Sequence, residues 1–132
     1  MQADMLSKWL RGMGYTEGLA AYIQQFPEAK YHGKIYRGLY FDHYPSISEI
    51  NSQNFCSWTT DLDTAKYFAS HGKYGFVLIK ESTGYEVEKI LSILKDRNEL
   101  PERLMNYRNG CSEKEVLDGF DVKSVKIQRT GC

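Results

Sequence analysis

Up to about residue 30 the apolar positions recur at helical spacing. Met5, Leu6, Trp9, Leu10 and Met13 fall within residues 3–13, and Gly12 and Gly14 end the pattern. A second helix is predicted from Thr16, with Leu19, Ala20, Ile23 and Phe26 on one face and Pro27 as its stop. Both stripes read as packing faces rather than a cofactor site. From Lys34 the pattern changes. Residues 34–41 are rich in β-branched and aromatic side chains and read as a strand that carries Arg37 between Tyr36 and Gly38. An arginine inside a largely apolar strand needs a partner, or an edge position from which its stem reaches water. Gly38 beside it admits a close approach to the backbone.

Ser46 and Glu49 have the spacing of a capping box for a short helix near Ile47 and Ile50. In residues 54–61, Phe55, Ser57 and Thr59 alternate with Cys56 and Trp58 as a short strand would. Asp61 then suits the N-cap of a helix with Leu62, Ala65, Phe68 and Ala69 inward, closed by Gly72. Residues 74–80 form a nearly continuous apolar run, a buried strand. Val87, Ile90, Leu91 and Leu94 fit a helix, with residues 84–87 open to either a helical or an extended start, and Pro101 suits the first turn of a short helix with Leu104 and Met105. The last elements read as a hairpin. Asp118-Gly119 has the composition of a type I′ turn, flanked by Val116 and Phe120 and followed by Val122, Val125 and Ile127. Glu113 and Glu115 stand just before it, and in an extended chain residues two apart share a face, so both carboxylates should enter one space. The structural alternative is a solvated edge-strand face.

At 132 residues the chain suits one domain, helical over about 1–30 and β-rich over about 31–132, with no internal repeat or linker. This length buries enough surface to need no disulfide or metal. Seventeen basic residues balance seventeen acidic ones without long runs, which argues against nucleic-acid or membrane-surface binding by bulk charge. Cys56, Cys111 and Cys132 are odd in number and widely spaced, and His32, His43 and His71 share no ligand spacing, so no metal site is expected. No signal peptide or membrane span is apparent, and a reducing cytoplasmic compartment is the expectation.

Tyr36-Arg37-Gly38 on one strand, Ser57-Trp58-Thr59 on a second and Glu113-Lys114-Glu115 on a third, in that chain order, resemble the Arg–Ser–Glu class of mono-ADP-ribosyltransferases. That family includes cholera-toxin-like and binary-toxin enzymes and several phage proteins. The match covers about residues 34–127. It implies an α+β fold with a mostly antiparallel β core, short helices and an N-terminal helical segment. It also implies NAD as co-substrate, Glu115 on the ribose, Ser57 holding Glu115, and an acceptor arginine on a target protein served by Glu113. Residues 107–112 sit where the family's substrate-recognition loop lies, which would set Tyr107 against the target or in the packing. The immediate Asp118-Gly119 turn departs from the family's longer one. A histidine at position 37 would mark the poly-ADP-ribosylating class, which Arg37 excludes.

The chemistry of these residues is consistent with that resemblance. Arg37 offers a planar fork of donors to a pyrophosphate. A carboxylate at Glu115 stabilises an oxocarbenium-like ribosyl cation as nicotinamide leaves. Ser57 is short enough to fix the Glu115 rotamer, Thr59 supports the strand or the ligand, and backbone groups at Gly38 suit the nicotinamide amide. Arg97, Arg103 and Arg108 are further phosphate candidates, and Cys111 is a conceivable nucleophile that lacks a histidine placed to activate it. Two alternatives stand beside transfer: NAD glycohydrolysis, and a non-catalytic partner-binding module on the same fold.

Overall fold

The structure, a computed structural model, describes Leu6 and residues 16–52, 57–105, 107, 114–119 and 125–130. The helix expected over residues 3–13 lies outside them except for Leu6, which is helical and fully buried. Thr16 caps helix α1 (Glu17–Ile23) by accepting the Leu19 amide at 3.1 Å. Leu19, Tyr22 and Ile23 are its buried side, and Phe26 packs edge-on against Tyr22 just beyond it. Ala20, expected inward, is only half-buried, because the larger Tyr22 takes the core position. The helix ends earlier than expected, with Gln24 as its C-cap, and Pro27 instead opens a separate 3-10 turn, Pro27–Ala29.

Among the described residues the sheet has six strands: β1 (Lys34–Phe41), β2 (Ser57–Thr59), β3 (Tyr74–Glu81), β4 (Tyr85–Glu86), β5 (Glu115–Leu117) and β6 (Lys126–Thr130). They lie in the order β4-β5-β2-β1-β3-β6 and every pairing is antiparallel. The α+β class with a mostly antiparallel core is therefore as expected. Helices α2 (Ile47–Asn51), α3 (Leu62–Ala69) and α4 (Val87–Asp96) connect the strands. The capping box forms as anticipated, with Ser46 accepting from the Glu49 amide and the Glu49 carboxylate accepting from Ser46. Among the described residues no helix is long and apolar enough to cross a membrane.

The C-terminal hairpin does not form. β5 lies between β4 and β2, whereas β6 pairs with β3 at the opposite edge. Asp118 does not act as a turn residue. It is 2% exposed, and its carboxylate accepts from the Thr83 amide and hydroxyl, both at 2.9 Å, while Lys80 Nζ lies 3.1 Å away. The side chain thus ties the end of β5 to the β3–β4 connection. All of Glu115, Val116 and Leu117 are buried, as befits a strand covered on both faces and not an edge ribbon.

Alternation puts Ile35, Arg37 and Leu39 on one face of β1 and Tyr36, Gly38 and Tyr40 on the other. Ile35, Leu39, Trp58, Leu78 and Val116 make the core of the first face, with Ile50 of α2. On the other face, Ala65 and Ala69 of α3 sit on Val77. Leu117 belongs to a third cluster with α1, α4, Leu6 and Leu104. α3 approaches unusually closely: a Cβ on Gly38 would stand 2.1 Å from the Ala65 carbonyl oxygen, and one on Gly75 2.2 Å from that of Ala69. At that separation only small residues fit between helix and sheet. Phe68, expected inward, is therefore turned to the rim and 37% exposed.

Candidate active site

β1 and β2 register one pair, Tyr36↔Thr59. Next to it the Arg37 side chain bridges the two strands, with Nη1 donating to the Ser57 carbonyl at 2.8 Å. β1 is an interior strand, so Arg37 is not an edge arginine reaching water along its stem. A cleft of about 300 Å³ opens here. β1 contributes Tyr36, Arg37, Gly38 and Tyr40 to its lining, β2 contributes Ser57, Trp58 and Thr59, α3 contributes Thr64, Ala65 and Phe68, and β5 contributes Glu115.

Glu115 opens β5 opposite Thr59 and is 5% exposed. Ser57 Oγ donates to its Oε2 at 2.6 Å, and the Tyr107 hydroxyl donates to Oε1. Burial of a carboxylate penalises its charged form, and donors aimed at its oxygens offset that penalty. The Thr59 hydroxyl accepts the Asp61 amide at 3.0 Å, fixing the turn into α3. Asp61 N-caps α3 in position but not by its side chain, which instead accepts from Thr64 Oγ1 at 2.7 Å. That bond is the main cause holding the Asp61 carboxyl below its usual range. Behind the cleft, Trp58 Nε1 donates to the Asp118 carbonyl at 3.2 Å, and Lys80 Nζ lies 5.7 Å from the Trp58 ring centre.

Of the residues singled out in sequence, Tyr36, Arg37, Gly38, Ser57, Thr59 and Glu115 thus border one cleft. Glu113, Arg108, Cys56, Cys111 and Cys132 lie outside the described residues. The expectation that Glu113 shares a face with Glu115 falls on a residue outside those described; Lys114 adopts φ 50° and β5 begins at Glu115. Gly38 has a different reason from the one anticipated, since the backbone that approaches it belongs to α3. Arg97 caps the C-terminus of α4, with its guanidinium carbon 5.5 Å from the Phe26 ring centre, and neither it nor Arg103 lines the cleft. His71 packs edge-on against Tyr40, Tyr67 and Phe68, while His43 bonds Asp42 and Glu49. Among the described residues no cluster of histidine, cysteine or acidic side chains could hold a metal ion.

Sequence reasoning missed the Tyr107 hydroxyl as a partner of Glu115. The two stand eight positions apart in the chain, and no periodicity reports such a contact. No protein-family model matches the chain, and neither a curated protein nor a solved structure does. The functional reading rests on the cleft and on the motifs.

Proposed function

We propose that the chain is an NAD-dependent mono-ADP-ribosyltransferase that modifies an arginine of a target protein. One observation carries the reading: a buried glutamate, fixed at both oxygens by hydroxyl donors, borders the same cleft as a strand arginine. Arg37 is the cation for the pyrophosphate, its guanidinium held at the cleft wall by the bond from Nη1 to the Ser57 carbonyl. A cleft of about 300 Å³ suits the nicotinamide–ribose end, with the rest of the dinucleotide running over the rim. Glu115 presents its charge to the ribose. As the bond from C1′ to the nicotinamide nitrogen breaks, the electron pair leaves with the ring and the carboxylate stabilises the cation left behind. An arginine nitrogen then bonds to C1′ and gives up a proton, for which Glu113 is the acceptor in this reading.

A second reading is NAD glycohydrolysis, which calls on Arg37, Ser57 and Glu115 at the cleft and on no second acid. Water would then attack C1′ in place of arginine. Nicotinamide release and labelling of a lysate from NAD, measured together, separate these readings. Glu115→Gln keeps shape but removes the charge, and should lower both activities by on the order of a hundredfold or more. Glu113→Gln should lose labelling and keep slow nicotinamide release. A folded Glu115→Gln variant with both activities intact would overturn the assignment to this class.

A further inference from the structure

We propose that Tyr107 is a positioning residue for Glu115, its hydroxyl and that of Ser57 forming a two-sided clamp on the carboxylate; this rests on the role given to Glu115 above. The two donors come from different parts of the fold. Ser57 opens β2. Tyr107 follows the 3-10 turn Glu102–Leu104, its amide donates to the Leu104 carbonyl at 3.1 Å, and its ring packs against the core cluster of α1 and α4. The phenol thus has its apolar body seated in the core and its polar end on Oε1 of Glu115.

The terminal torsion of a glutamate is soft, so a single donor leaves the carboxylate plane free to turn. A donor on each oxygen fixes that plane. The clamp also favours the ionised carboxylate at a site where burial opposes it. Tyr107 is not among the residues that line the cleft, so it acts through Glu115. It sets the orientation and charge of that group, and it couples the cleft to packing around α1 and α4.

Tyr107→Phe removes the hydroxyl and keeps the ring in the core. In the folded variant kcat for nicotinamide release should fall about tenfold, as for loss of a supporting hydrogen bond to a reacting group, with KM changed less than about twofold. The acid limb of its pH–rate profile should move to higher pH. A tyrosine with a purely packing role would alter the melting temperature and leave the pH profile in place. Carbon NMR of the wild type provides a measurement that needs no variant: Tyr107 Cζ and Glu115 Cδ should change with a common pH midpoint. Independent titration of the two carbons, or a Tyr107→Phe variant with wild-type kcat and pH profile, overturns the clamp and leaves the NAD reading standing. A wild type that releases no nicotinamide overturns the NAD reading and the catalytic meaning of the clamp together, even where the two carbons titrate as one.

Discussion

His43 shows how single side chains set the local chemistry on the surface, away from the cleft. Its Nε2 bonds Glu49 Oε2 at 2.5 Å and its Nδ1 bonds Asp42 Oδ1 at 3.0 Å. These contacts, Glu49 first, raise the imidazole above its ordinary value, while the same bonds hold Glu49 and Asp42 below theirs. The histidine's contribution to stability is full below about pH 6.5 and is lost as pH rises through its raised folded value. The carboxylates' contributions are present above the ordinary carboxylate range and are lost as pH falls through their lowered values. The three groups therefore support one another best between those limits, and because all are exposed the effect on global stability is small. Proton NMR should find the His43 midpoint above that of a free histidine, and Glu49→Gln should bring it down. An unchanged midpoint in that variant would remove Glu49 as the main cause.

Among the elements, α3 is the one that shapes the cleft. Its inward side is Ala65 and Ala69, and the strands beneath it carry Gly38 and Gly75 where its carbonyls come closest. Backbone cannot yield there as the end of a long side chain can. Gly38→Ala should therefore push the helix off the sheet and cost about 3 kcal/mol, the upper range for overpacking a tight interface. A urea unfolding curve reads that cost. A midpoint within experimental scatter of the wild type would show that α3 can shift without penalty. The same helix supplies Thr64, Ala65 and Phe68 to the cleft wall, so the stability change and any change in ligand binding should appear together.

For the whole molecule, Asp118 is the tie between the two halves of the sheet. Its carboxylate meets Lys80 of β3, the Thr83 amide and hydroxyl, and the Gly119 amide at 2.8 Å. The Lys80 and Asp118 side chains are 9% and 3% exposed. Removing one member of a buried pair leaves the other uncompensated, so Asp118→Ala should destabilise the fold by about 3–5 kcal/mol. Chemical denaturation tests this, and a loss below about 1 kcal/mol, the scale of an exposed ion pair, would show that water reaches the site. Since Glu115 begins the strand that Asp118 follows, loosening this tie should also disorder the carboxylate.

The chain's own pattern determined the elements. The strand over 34–41, the capping box at Ser46 and Glu49, the helix after Asp61 and the apolar run from Tyr74 were all legible, because period, caps and propensity are properties of neighbours in sequence. The motif residues Arg37, Ser57 and Glu115 were legible as oddities on strands for the same reason. Tertiary structure alone decided which strands pair, since β5 gains more by burial between β2 and β4 than by turning back on β6 at an edge. It also decided that Asp118 would serve as a buried anchor, that Phe68 would line a rim, and that Tyr107 would reach Glu115. Those outcomes depend on what lies opposite each residue once the chain has closed on itself, and no local spacing encodes that.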